Sequence, residues 1–154
     1  MATAIRPVQP IDPAVLALLR ALNEHNRSHY DADRCRWASV EDLSSPDTTM
    51  LGAFFGDELV GVGAIALEPG YAEIKRMFVV PHARGYGVGA DLLEALLDIA
   101  RRAGRRCARL ETGERFEAAV ALYRRFGFCP CQAFGPYRAN PANMYMELAF
   151  PPEA

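Results

Sequence analysis

Val15, Leu18, Leu19 and Leu22 recur at three- and four-residue spacing, which predicts an amphipathic helix over residues 13–25. Asp12-Pro13 suits its start, as an N-cap followed by proline at the first helical position. A short strand over residues 3–8 precedes it. Residues 26–46 alternate polar and aromatic positions without a period, and carry at most a short helix over 39–43. Beyond Thr48 the pattern changes. Residues 49–55 and 59–67 read as two strands joined by a tight turn at Gly56-Asp57-Glu58. Pro69-Gly70 turns the chain into a third strand, residues 71–80, which Pro81 ends. Alternation along it places Tyr71, Glu73, Lys75 and Met77 on one face and Ile74, Arg76 and Phe78 on the other. Leu92, Leu93, Leu96, Leu97 and Ala100 mark the buried stripe of a long helix, with Arg101 and Arg102 in its last turn and Gly104 at its C-cap. Residues 106–111 form a strand. Phe116, Val120, Tyr123 and Phe126 line one face of a following helix that Gly127 stops, and residues 128–134 and 144–150 supply two last strands. This order describes an α/β protein with a mixed sheet and helices packed on it.

The chain has 154 residues and no repeat, low-complexity tract or linker-like stretch, so one domain over 1–154 is expected. Its 17 Lys and Arg against 19 Asp and Glu leave a net charge of −2, which argues against a nucleic-acid partner. No apolar run approaches the roughly 18 residues of a membrane span. The opening MATAIRPVQP lacks the regions of an export signal, so a cytoplasmic, membrane-free protein is expected. Cys35, Cys107, Cys129 and Cys131 then read as reduced, packed thiols, and Cys129-Pro-Cys131 is one residue short of the usual metal or redox spacing. His25 and His29 share a helical spacing but find no third ligand. No metal is expected, and the pair reads as polar lining of a surface or cleft.

The chemistry concentrates in Arg84-Gly85-Tyr86-Gly87-Val88-Gly89, between a strand and a helix. Glycine allows positive φ and close approach of a ligand, and free N–H groups at a helix start favour an anion. A phosphate is the natural occupant. The G-x-G-x-G spacing after an antiparallel meander departs from the dinucleotide fingerprint, and no Lys follows to make a P-loop.

Arg84, Gly87 and Gly89 occupy the fixed positions of [QR]-x-x-G-x-[GA]. In order along the chain, Ala72-Glu73-Ile74, Val79-x-Pro81, Leu110-Glu111 and Ala121-Leu122-Tyr123-x-x-Phe126-Gly127-Phe128 surround that motif. Together they resemble the GNAT superfamily of N-acetyltransferases, most strongly over residues 48–128. The resemblance implies the GNAT fold, a mostly antiparallel mixed sheet of six to seven strands with about four helices and a splayed central parallel pair. It implies an enzyme that passes the acetyl group of acetyl-CoA to an amine by direct attack in a ternary complex, releasing coenzyme A. The cofactor's pyrophosphate would lie on the amides of Gly85, Tyr86, Gly87, Val88, Gly89 and Ala90, with charge added by Arg84. Its pantetheine arm would run along Met77, Phe78 and Val79, where a backbone N–H polarises the thioester carbonyl.

The resemblance also assigns Tyr123 as general acid facing the thioester sulfur, although the same residue lies on the apolar face of its helix. Glu73 and Glu111 are alternative general bases, beside a water chain with no dedicated base. Many relatives carry Asn where this chain has Phe116, so a side-chain contact to the cofactor is lost or replaced. His29, Tyr30, Trp37 and Tyr137, with Phe134 and Arg138 nearby, fall in the regions that build the acceptor cleft. They suit a small-molecule or peptide amine. A protein N-acetyltransferase and a non-catalytic acyl-CoA sensor remain as alternatives, and self-association into a homodimer is left open.

Overall fold

The protein is described from a computed structural model, which defines residues 2–29, 38–137 and 143–152. One sheet of seven strands organises it, in the order β1-β2-β3-β4-β5-β7-β6. Strand β1 (Ala4–Pro7) leads into α1 (Pro13–His29) and the short α2 (Val40–Leu43). The antiparallel meander β2 (Thr48–Phe55), β3 (Glu58–Glu68) and β4 (Tyr71–Val79) follows. A 3-10 turn at Pro81–Ala83 connects to α3 (Val88–Arg102), then β5 (Cys107–Gly113), α4 (Glu117–Arg125), β6 (Cys129–Cys131) and β7 (Asn143–Ala149). Among the described residues no helix is long and apolar enough to cross a membrane.

The predicted elements are present, with changes at several of their ends; strand β5 starts one residue later than expected and runs two residues further, to Gly113. Helix α1 runs one turn past His25, to His29. Strand β6 keeps only three residues of the stretch expected over 128–134, because its partner β7 is paired through Glu147, Met146 and Tyr145 alone. Ala103 takes the C-cap of α3, and Gly104 follows it in the left-handed conformation at φ 74°. The Asp12 carboxylate accepts from the Gln9 N–H, and the first turn of α1 closes through Leu16 N–H to the Asp12 carbonyl. Ser39 and Asp42 cap α2 reciprocally, which explains how four residues hold a helical turn.

Helices α3 and α4 cover one face of the sheet, where Leu92, Leu93, Leu96 and Leu97 pack on Ile65, Ile74 and Leu110. Helix α1 covers the other, with Val15, Leu19 and Leu22 on Val62, Ala64 and Phe78. Two irregularities shape the middle of the sheet. Strand β4 pairs in parallel with β5 only from Ala72 to Ile74, so the two strands diverge beyond Leu110. On its other edge β4 carries an extra residue, since Val62 opposes Phe78 while Ala64 opposes Lys75.

That bulge corrects the simple alternation read from the sequence. Glu73 and Lys75 face α1, but Met77 and Val79 pack with Ile74 on the α3 side, and Phe78 joins the α1 side. Arg76 absorbs the change with φ at 57°. Gly63, opposite the bulge, leaves the room: a Cβ there would stand 2.6 Å from the Met77 Sδ and 2.9 Å from a Leu96 methyl.

Candidate active site

The divergence of β4 and β5 opens a cleft of about 970 Å³ between α1, the loop before α3 and the start of α4. Met77, Phe78 and Val79 line it along the freed part of β4, whose N–H and C=O groups have no β5 partner there. Arg84, Gly85, Gly87, Val88, Gly89 and Ala90 line one end. Gly85 and Gly87 hold φ of 86° and 81°, and a Cβ on either would meet nothing within 4 Å. They are glycine for backbone conformation, with open space left above the loop. The first-turn amides of α3 lack intrahelical acceptors and point to that space. Tyr86 is the exception among the loop residues. Its side chain is 56% exposed, lies edge-on to Phe55 at 5.8 Å, and stays outside the cleft.

Two carboxylates stand deeper in the cleft. Glu73 is 4% exposed and accepts the Tyr137 hydroxyl at 2.6 Å, with Lys75 Nζ 3.6 Å from its other oxygen. Burial raises its pKa above the ordinary carboxylate value, against the lowering by these two partners. Glu111 sits opposite Tyr145 in the β5–β7 register and accepts its hydroxyl. Burial, and then the charge of Glu73, push the Glu111 carboxyl up to about 7. Tyr123 lines the cleft from α4, edge-on to Phe128 at 5.8 Å, and burial pushes its hydroxyl up to about 12. It is both a core residue and a cleft residue.

The extra turn of α1 brings His29 to the cleft beside His25, their rings 4.6 Å apart. Phe116 stacks on His25 at 5.4 Å and lies 5.2 Å from His29. His29 Nδ1 bonds the His25 carbonyl at 2.9 Å; a carbonyl only accepts, so this nitrogen carries the proton. Of the residues assigned to the acceptor, His29 and Tyr137 line the cleft, and Tyr30 and Trp37 lie outside the described residues, as does Arg138. Sequence reasoning missed Tyr145 and Arg76. Tyr145 reaches Glu111 only through strand register. Arg76 donates to the Leu19 carbonyl at 3.3 Å and to Asn23 Oδ1, and its position follows from the bulge.

The sequence profile described as the acetyltransferase (GNAT) family matches residues 13–128. A protein named IAA acetyltransferase from Azospirillum brasilense is 41% identical over 140 residues, which cover 90% of this chain and 92% of its own. A solved structure from Klebsiella pneumoniae, described as an acyl-CoA N-acyltransferase, aligns with a TM-score of 0.81 at 33% identity, over 96% of this chain and 97% of its own. The PaiA N-acetyltransferase of Thermoplasma acidophilum, solved in complex with coenzyme A, shares the fold at a TM-score of 0.78 and 20% identity, over 97% of this chain and all of its own.

Proposed function

The chain belongs to the GNAT family of acetyltransferases, and from that premise we propose that its cleft binds acetyl-CoA and transfers the acetyl group to an amine of a small molecule. The observation that carries the reading is the divergence of β4 and β5, with glycine-shaped helix amides at one end and Glu111 and Tyr123 on its walls. The residues present fit a coenzyme A group. The loop offers N–H donors under open space, and the freed edge of β4 offers the backbone pairing that an extended arm requires.

When bound, the cofactor supplies an acyl carbon already activated as a thioester. The amides of residues 85–90 would hold its phosphates, the Tyr86 amide among them although its ring turns away. Met77, Phe78 and Val79 would orient the arm through their backbone, and an N–H near Phe78 or Val79 would polarise its carbonyl oxygen. Glu111 is the general base. A carboxyl at about 7 takes a proton from an ammonium at neutral pH better than one at the ordinary value. Glu73, already engaged by Tyr137 and Lys75, lends its negative charge to the ammonium and orders the acceptor wall. Tyr123, its pKa raised by burial, stays protonated at neutral pH and would give its proton to the leaving sulfur, taking in its place the second proton of the attacking nitrogen. We also place the protein in the cytoplasm, where Cys107, Cys129 and Cys131 would stay as thiols.

A screen of small amines with acetyl-CoA, read by release of the coenzyme A thiol, tests this function. Turnover by the wild type, with kcat reduced at least about tenfold in Tyr123→Phe, is expected. Tight coenzyme A binding without turnover of any amine overturns it in favour of a sensor.

A further inference from the structure

The Arg84 side chain and the His25 ring stand on a different face of β4 from the helix that the loop amides open. Helix α3, which those amides open, packs on the face of β4 that carries Ile74, Met77 and Val79. Phe78 belongs to the opposite face, under α1. Arg84 sends its guanidinium to that opposite face: Nε donates to the Val79 carbonyl at 3.0 Å, and Cζ lies 5.7 Å from the centre of the Phe78 ring. His25 continues the same wall, 6.3 Å from Phe78 and stacked on Phe116 with 26° between ring planes. Among the described residues, neither His25 nor Arg84 forms an ion pair with a carboxylate, and no group hydrogen-bonds a ring nitrogen of His25. Burial, and then the charges of His29 and Arg84, lower the pKa of His25, so its ring faces this wall as a neutral N–H donor beside the Arg84 guanidinium.

Glu73 and Glu111 lie on this same face of the sheet. Lys75 opposes Ala64 of the α1-side core, so Glu73, two residues before it, shares that face; Glu73 pairs with Arg109, two residues before Glu111. The acceptor space under α1 therefore has an anionic end for an ammonium and an aromatic-walled end where the Arg84 guanidinium and the His25 N–H find no carboxylate partner among the described residues. Guanidinium and imidazole N–H groups in such a wall recognise an oxyanion through charge-assisted hydrogen bonds. Resting on the acyltransfer reading above, we infer that the acceptor is an amine that also carries an oxyanionic group, in the manner of an amino acid. That group sits between His25 and Arg84 while the amine faces Glu111.

An oxyanion could also come from the cofactor's phosphates, so the test is made with those contacts already filled. Protein saturated with coenzyme A is titrated calorimetrically with N-acetylphenylalanine and N-acetylphenylalaninamide, and with the matching alanine pair. In parallel, the common L-amino acids and their primary amides are compared as acceptors with acetyl-CoA. The acids are expected to bind and react at least about tenfold better than their amides, as one charge-assisted hydrogen bond would give. That ratio should fall to within about threefold of one in both His25→Ala and Arg84→Gln. Equal binding of acid and amide by the wild type overturns the inference, as does a ratio that survives in both variants. If the variants weaken coenzyme A itself and leave the ratio intact, the oxyanion belongs to the cofactor and the inference fails. If no amine releases thiol yet the acids still bind preferentially through His25, the oxyanion site stands and acetyl transfer to an amine falls instead.

Discussion

The Tyr137 hydroxyl lies 2.6 Å from Glu73 Oε2 and donates to it, joining residues 64 positions apart in the chain. The contact ties the segment after β6 to the central strand. Tyr137 is held for it by neighbouring rings, Phe134 at 5.4 Å and Tyr145 at 5.9 Å. Burial and the Glu73 charge both raise the pKa of Tyr137, so it remains a donor at every working pH. Two carboxylate–tyrosine pairs, Glu73 with Tyr137 and Glu111 with Tyr145, thus stand side by side at the cleft, their tyrosine rings in contact.

Removing that donor shifts the proton chemistry in a defined direction. The Tyr137 bond lowers the Glu73 pKa against the raising effect of burial. In Tyr137→Phe the carboxyl loses a partner that favours its charged form, so its pKa rises further. The acidic limb of the kcat/KM profile is expected to move to higher pH, and stability to fall by about 1.5–3 kcal/mol at pH 8. Rate profiles between pH 5 and 9, with urea unfolding at pH 8, check both. An unmoved acidic limb would separate Glu73 from catalysis.

Glu111 makes a second pH prediction, on both rate and stability. Its carboxyl titrates at about 7 in the fold and near the ordinary 4.5 in the unfolded chain. Between those values the unfolded chain releases a proton that the fold retains, so stability is fully present below pH 4.5 and is lost as pH rises through 7. Glu111→Gln removes this loss. Its Tm should match the wild type near pH 4 and exceed it increasingly up to pH 8. Activity at pH 7.5 should fall by about 10²-fold or more if Glu111 is the base. A larger loss in Glu73→Gln than in Glu111→Gln would reverse the assignment of the two carboxylates.

The helices and strands were legible because local periods carry them. The stripe of Leu92, Leu93, Leu96 and Leu97 states both a helix and its buried face. The glycine loop was legible because Gly85 and Gly87 answer to a backbone conformation that glycine adopts without strain. What escaped was set by pairing between distant strands. Nothing local announces an extra residue in β4, so Met77 was placed on the Glu73 face when the bulge turns it away. Tyr145 was invisible as a partner of Glu111 because register, fixed between β5 and β7, makes them neighbours. Tyr86 shows the limit of a motif. Its backbone belongs to the loop, while its ring follows Phe55 on β2.

The loop glycines allow backbone strain to be separated from function. Gly87 and Gly104 have similar positive φ, 81° and 74°, and neither would bring a Cβ against anything within 4 Å. Alanine at either position should therefore destabilise the fold by a similar amount, about 1–2 kcal/mol. Only Gly87 lies in the cleft. Gly87→Ala is expected to weaken coenzyme A binding at least about tenfold, and Gly104→Ala to leave it within about twofold, by isothermal titration. Equal weakening in the two variants would place the phosphates elsewhere.

Arg76 combines an unfavourable backbone conformation with a side chain that bridges β4 to α1. Its φ of 57° is costly for a residue with a Cβ, and its guanidinium reaches the Leu19 carbonyl and Asn23. Burial lowers its pKa to about 10, still high enough to keep it charged at neutral pH. Two substitutions divide these contributions. Arg76→Ala loses the bridge and keeps the strain; Arg76→Gly loses both. Both variants should be less stable than the wild type, with the glycine variant the more stable of the two by about 1 kcal/mol in urea unfolding. Because the bulge sets the face on which Phe78 stands, both should also lower kcat more than they raise the KM for acetyl-CoA. Equal stability of the two variants would mean that the backbone at Arg76 carries no strain and that the bulge is held by the side-chain bridge alone.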